Sequence, residues 1–176
     1  MALEILPELA ITLLQFVAGL VVSMGAVYIA LRTFDIFTKN LDEWKEMKKG
    51  NSAVGLLLGG IIISISLVLE RGVSTLTAPI TAGMEPNTLV IALALGLVNL
   101  AVSLLASVFA IYVAIKVLDA ITTDIDEMAE LRKGNIAVAI MMVAVLVAVS
   151  FVVRGAVEGI SSILSSTELL RLLSGA

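Results

Sequence analysis

The chain has no cysteine and no histidine among its 176 residues. Without them there is no disulfide, no thiolate nucleophile, no zinc site of the usual ligand set, no haem with a histidine ligand and no serine–histidine catalysis. No metal, no cofactor and no enzyme activity is expected. Charge is scarce too: Asp, Glu, Lys and Arg make up 15% of the chain, against about a quarter in soluble domains. The net charge of −4 offers no basic surface to nucleic acid, which is not an expected partner. No basic residue precedes Arg32, while Glu4 and Glu8 stand near the start. A secretory leader needs a positive first region, so the first apolar segment is expected to stay in the protein.

What is abundant is hydrocarbon. Apolar residues are 60% of the chain and the mean hydropathy is +1.11, more than a soluble chain of this size can bury. Four uncharged segments stand out: 9–31, 52–69, 86–115 and 136–153. About 20 helical residues cross a hydrocarbon core of about 30 Å. An all-α integral membrane protein with four transmembrane helices follows, with lipid as its solvent. Eight of the eleven basic residues lie in two connections: Arg32, Lys39, Lys45, Lys48 and Lys49 in the first, Lys116, Arg132 and Lys133 in the second. The positive-inside rule puts both connections in the cytoplasm and both termini outside, in a cell (inner) membrane.

The chain repeats itself at an offset of 84 residues. Between 34–54 and 118–138, ten of the 21 aligned positions are identical without a gap. They are Asp35/Asp119, Thr38/Thr122, Asp42/Asp126, Glu43/Glu127, Glu46/Glu130, Lys49/Lys133, Gly50/Gly134, Asn51/Asn135, Ala53/Ala137 and Val54/Val138. The register extends to Gln15/Asn99, Ser23/Ser107, Tyr28/Tyr112 and Ser66/Ser150. One membrane domain, 1–176, therefore holds two two-helix repeats, about 8–80 and about 88–164. Each crosses twice, so both run in the same direction and are related by a pseudo-axis along the membrane normal.

The run from Asp119 to Ala139, with its first copy from Asp35 to Val54, resembles the inner-membrane proteins called domain of unknown function 350, or YjfL-like. The resemblance covers nearly the whole chain and implies paired two-helix units in a bacterial or archaeal inner membrane. It brings no established activity. Some relatives occur alongside membrane-stress proteins.

Each polar connection reads as a short cytoplasmic helix, with Leu41, Trp44 and Met47, or Ile125, Met128 and Leu131, on one apolar edge. Gly50 and Gly134 are placed to end it in the left-handed conformation, and Asn51 and Asn135 to cap the next helix. The acids Asp42, Glu43, Glu46, Asp126, Glu127 and Glu130 are read as a solvated face, with an ion or ligand site as the alternative. Arg32 and Lys116 are spaced for helical salt bridges to Asp35 and Asp119. Trp44 reads as an interfacial anchor.

Within the spans, Gln15 and Asn99 occupy one repeat position, on faces shared with Gly19 and Ser23 or Ser103 and Ser107. Such amides need partners. They are read as interhelical hydrogen bonds or as the lining of a polar pathway near the midplane. Gly55 and Gly59 form a GxxxG step suited to helix packing or dimerisation. Glu70 and Arg154 share a repeat position with opposite charge, and with Arg71 and Glu158 they form an outer charged cluster. Residues 161–176 read as an amphipathic tail.

Two functions fit. One is a channel or transporter for a small ion or solute, as a homo-oligomer, with a dimer giving a pseudo-fourfold pore. The other is a non-transporting scaffold or membrane-stress sensor that recruits a cytoplasmic protein through its connecting helices.

Overall fold

A computed structural model of the protein describes residues 2–37, 42–80 and 85–164. Six helices follow in order: α1 (Ala2–Phe37), α2 (Glu43–Lys48), α3 (Ser52–Thr77), α4 (Pro86–Ile121), α5 (Glu127–Arg132) and α6 (Ile136–Leu164). The four long ones are long and apolar enough to cross a membrane. The short α2 and α5 occupy the polar connections, where the threefold apolar spacing placed them. The tail beyond Leu164 and the position of Leu41 lie outside the described residues.

Helix α3 lies at the centre, packed along α6 and α4, and α4 also packs on α6. The core is built from Leu57, Ile61 and Ile65 of α3, Ile111 and Leu118 of α4, Leu131 of α5, and Met142 and Leu146 of α6. Helix α1 rests on α3 and more lightly on α4, and has at most marginal contact with α6. Its exposed side is rich in Leu, Phe, Val and Met.

This arrangement departs from a pseudo-twofold. The two hairpins pack alike: Gly19 approaches Val73 and Thr77, as Asn99 approaches Ser161. A twofold would also give α1 a contact with α6 matching that of α4 with α3, and among the described residues α1 and α6 meet at most marginally. The repeats are parallel, but the second does not return to the first within the chain.

Close approach of α3 to its neighbours is set by glycine. A Cβ on Gly72 would lie 2.6 Å from Ser103 Oγ and 2.9 Å from Leu100 Cα, and one on Gly60 would lie 2.5 Å from Val143 Cγ2. Gly55 and Gly59 take no part in this: nothing lies within 4 Å of where their Cβ atoms would be. The packing step runs through their neighbour Gly60 instead, and Gly55 and Gly59 line an open groove.

Candidate functional site

Two groups of polar residues are organised beyond what helix formation needs. The first is the pair of connections, here called corners. In each, an aspartate opens the short helix: Asp42 accepts from Lys45 N at 3.0 Å and Asp126 from Ala129 N at 2.9 Å. Each helix closes on glycine at φ +81° or +80°. Gly50 N donates to Met47 O and Asn51 N to Glu46 O; Gly134 N donates to Leu131 O and Asn135 N to Glu130 O. This paired closure leaves few carbonyls unsatisfied and needs a left-handed residue that only glycine supplies freely. Asn51 and Asn135 then cap α3 and α6, accepting from the backbone of Ala53 and Val54, and of Ala137 and Val138.

The acids of the corners are partly exposed and also engaged with their own corner. Asp42 and Asp126 are committed to capping. Glu46 accepts from Lys49 Nζ at 2.6 Å and Asn51 Nδ2 at 3.3 Å; Glu130 accepts from Lys133 Nζ and Asn135 Nδ2, both at 2.7 Å. Lys49, then Asn51, holds the Glu46 carboxyl below the usual range. Asn135, then Lys133, does so for Glu130, which in turn raises Lys133. Glu43 is buried, and Glu127 accepts from the Thr122 hydroxyl. Among the described residues no group of His, Cys, Asp or Glu is placed to hold a metal ion. Trp44 is exposed beside the groove of α1–α3. Lys116 pairs with Asp119 at 3.1 Å; the side chain of Asp35 lies outside the described residues.

The second group is a polar seam inside the α3–α4–α6 core. Asn99 is fully buried and its Oδ1 accepts from Ser161 Oγ at 2.7 Å. Ser103 and Ser107 follow at one-turn intervals, each hydroxyl donating back to its own helix. Ser64 and Ser150 are buried on the facing helices. Asn99 Nδ2, Ser64 Oγ and Ser150 Oγ have no hydrogen-bond partner.

The heights of these groups follow from the helical rise. At about 1.5 Å per residue, Gly72 is about 32 Å from the Asn51 corner, and Ser161 is about 39 Å from Asn135. Asn99 lies one turn beyond Ser103, which touches Gly72, so it stands about 38 Å from the corners. Gln15 is at the same end, donating to Ile80 O at 2.8 Å. The two amides therefore sit toward the end opposite the corners, and among the described residues no hydrogen bond joins them. The helices are long: α1 and α4 have 36 residues each, about 54 Å, so a third of the way along leaves each amide well away from the corners. Ser107, Ser150 and Ser64 come lower, at about 26, 22 and 20 Å from the corners. Their burial by packing left no periodic signal beyond the row 99, 103, 107. Ser23 is only partly buried on α1, outside the seam.

Beneath the seam, toward the corners, Leu57, Ile61, Leu118 and Leu131 are almost wholly buried. Near the opposite end, Arg154 lies 3.0 Å from Glu70 and 2.9 Å from Glu158. Arg71 does not join them, and its Nε is buried with no hydrogen-bond partner.

No curated protein and no solved structure matches the chain. The sequence family Domain of Unknown Function (DUF350) matches it twice, over residues 8–95 and 92–174. The second match begins 84 positions after the first, the same step that relates the two corners. With four helices fit to span a membrane and the two matches together crossing nearly the whole chain, this multi-pass membrane protein belongs to the DUF350 family.

Proposed function

We propose that the protein is a membrane channel or transporter for a small ion or solute, in the cell membrane with its corners in the cytoplasm. The carrying observation is the seam: three polar atoms, on Asn99, Ser64 and Ser150, are buried without partners inside a membrane bundle. Each unsatisfied group of this kind costs about 1–3 kcal/mol, a cost that a purely packing role, in which such hydroxyls and amides bond across helices, does not explain. The seam reaches from the outer end to about 20 Å from the corners and stops on the apolar layer of Leu57, Ile61 and Leu118. The concentration of basic residues at the corners supports the orientation.

The test is flux of K⁺, Na⁺, H⁺, Mg²⁺, Cl⁻ and small neutral solutes into liposomes holding the purified protein. Flux above empty liposomes, reduced at least tenfold by Asn99→Leu in folded protein, is the expected result. No flux for any of them sinks the reading.

The duplicated corners favour a second reading, a scaffold for a cytoplasmic protein. Asp42 and Asp126 are poor probes of it, because reversing their charge would break the helix caps. Lys48→Glu, at an exposed position, tests it: loss of a co-purifying partner with membrane insertion intact would favour the scaffold over transport.

A further inference from the structure

The near absence of contact between α1 and α6 leaves two surfaces without partners among the described residues, and each has a counterpart that is covered elsewhere in the same chain. On α3, Gly60, Ser64, Val68 and Gly72 are all buried. Their equivalents on α6, at +84, are Ala144, Ala148, Val152 and Ala156, and all four are exposed. Val68 is 0% exposed and Val152 75%. The receiving side shows the same contrast. In the second repeat Met142 and Leu146 are each 2% exposed, beneath α3. In the first, the equivalent of Leu146, Ile62, is 40% exposed and, with Leu58, itself 9% exposed, lines an open apolar groove of 820 Å³ between α1, α2 and α3.

We infer that a second copy of this chain fills that groove, its α6 lying on α1–α3 as α3 lies on α4–α6. The small side chains of Ala144, Ala148 and Ala156 suit close helix contact rather than lipid. The pairings follow position by position. Gly72 against Leu100 within the chain becomes Ala156 against Phe16 of the neighbouring copy. Gly60 against Val143 becomes Ala144 against Gly59, which now has space beside it. At the corner, Asn51 Nδ2 donates to Leu131 O at 2.8 Å. The side-chain amide of Asn135 bonds only within its own corner, and it is placed to donate to the Met47 carbonyl of the neighbouring copy. Glu70 and Arg154 then alternate around the assembly, each acid flanked by two arginines. The interface is head-to-tail, with different surfaces on the two sides; such an interface gives a ring when its rotation closes, and in that ring repeats one and two alternate.

This inference does not rest on transport. The chain has no cysteine, so introduced thiols are the only ones to be read. Phe16→Cys in one full-length chain and Ala156→Cys in another are co-expressed and oxidised in native membranes. The control pairs Ala156→Cys with Leu105→Cys, whose position on α4 is 71% exposed. The expected result is a covalent dimer at least fivefold more abundant for the first pair. When both thiols are placed in one chain, the ladder of products ends at a fixed size. Equal yields for the two pairs, or a monomer by native mass spectrometry in lipid nanodiscs, overturns the interface and leaves the groove to lipid. A ladder without an end overturns the ring.

Discussion

The side-chain amide of Asn51 donates to the backbone carbonyl of Leu131 at 2.8 Å, joining the first corner to the last turn of the short helix in the second. The same amide reaches Glu46 in its own corner, while the side-chain oxygen caps α3. Asn135 has the cap and the glutamate but, among the described residues, no such tie across the repeats.

The two asparagines are therefore unequal. Asn51→Ala removes a cap, about 1 kcal/mol, together with a partly buried hydrogen bond of similar size. Asn135→Ala removes only the first of these from the monomer. Thermal unfolding in a detergent that keeps the protein monomeric should show the larger loss for Asn51→Ala. Equal losses would mean that the cross-repeat bond contributes nothing.

Gly50→Ala and Gly134→Ala each force a side chain into the left-handed conformation, at about 1–2 kcal/mol. The same detergent melts should show both, with similar size, because the two corners have nearly the same φ. An unchanged melting point would show that the corner relaxes to another turn.

Gly72→Ala puts a Cβ against both Ser103 and the Leu100 backbone. Overpacking of this kind costs about 1–3 kcal/mol. Ser103→Ala relieves only the hydroxyl, so the double variant should recover part of the loss. Complete recovery would show that the backbones do not approach as closely as Gly72 and Leu100 indicate.

The lowered carboxyls of Glu46 and Glu130 set a pH window. Their folded values lie below the ordinary 4.5, so their contribution is complete above that value and is lost as pH falls through the folded one. The side-chain amide resonances of Asn51 and Asn135 should stay constant from pH 8 to 5 and move only below about 4.5. Glu46→Gln with Glu130→Gln should remove that acid transition. A midpoint above 4.5 in the unaltered protein would contradict the assignment.

The corners were legible in the sequence almost to the hydrogen bond. An aspartate, a glycine and an asparagine at fixed spacing carry their meaning locally, and two copies state it twice. The amides Gln15 and Asn99 were legible as polar positions that need partners, but their height was not. A long apolar run has no vertical marker, and only the contact of Gly72 with Ser103 shows which turns are level. Gly55 and Gly59 carry the familiar small-residue spacing, yet Gly60 and Gly72 make the close approaches, since which face meets a neighbour depends on helix rotation. The pseudo-twofold failed for a related reason. A repeat in sequence establishes that two units are alike, and leaves open the angle between them.

Each corner closes on itself through bonds that span no more than five residues. A hairpin of this kind can complete its turn as soon as its own segment leaves the ribosome, before its sibling has been translated. Among the hydrogen bonds described for the first corner, that of the Asn51 amide to Leu131 must wait, the side chain holding its cap until α5 arrives. That donor marks where the second hairpin is to be received.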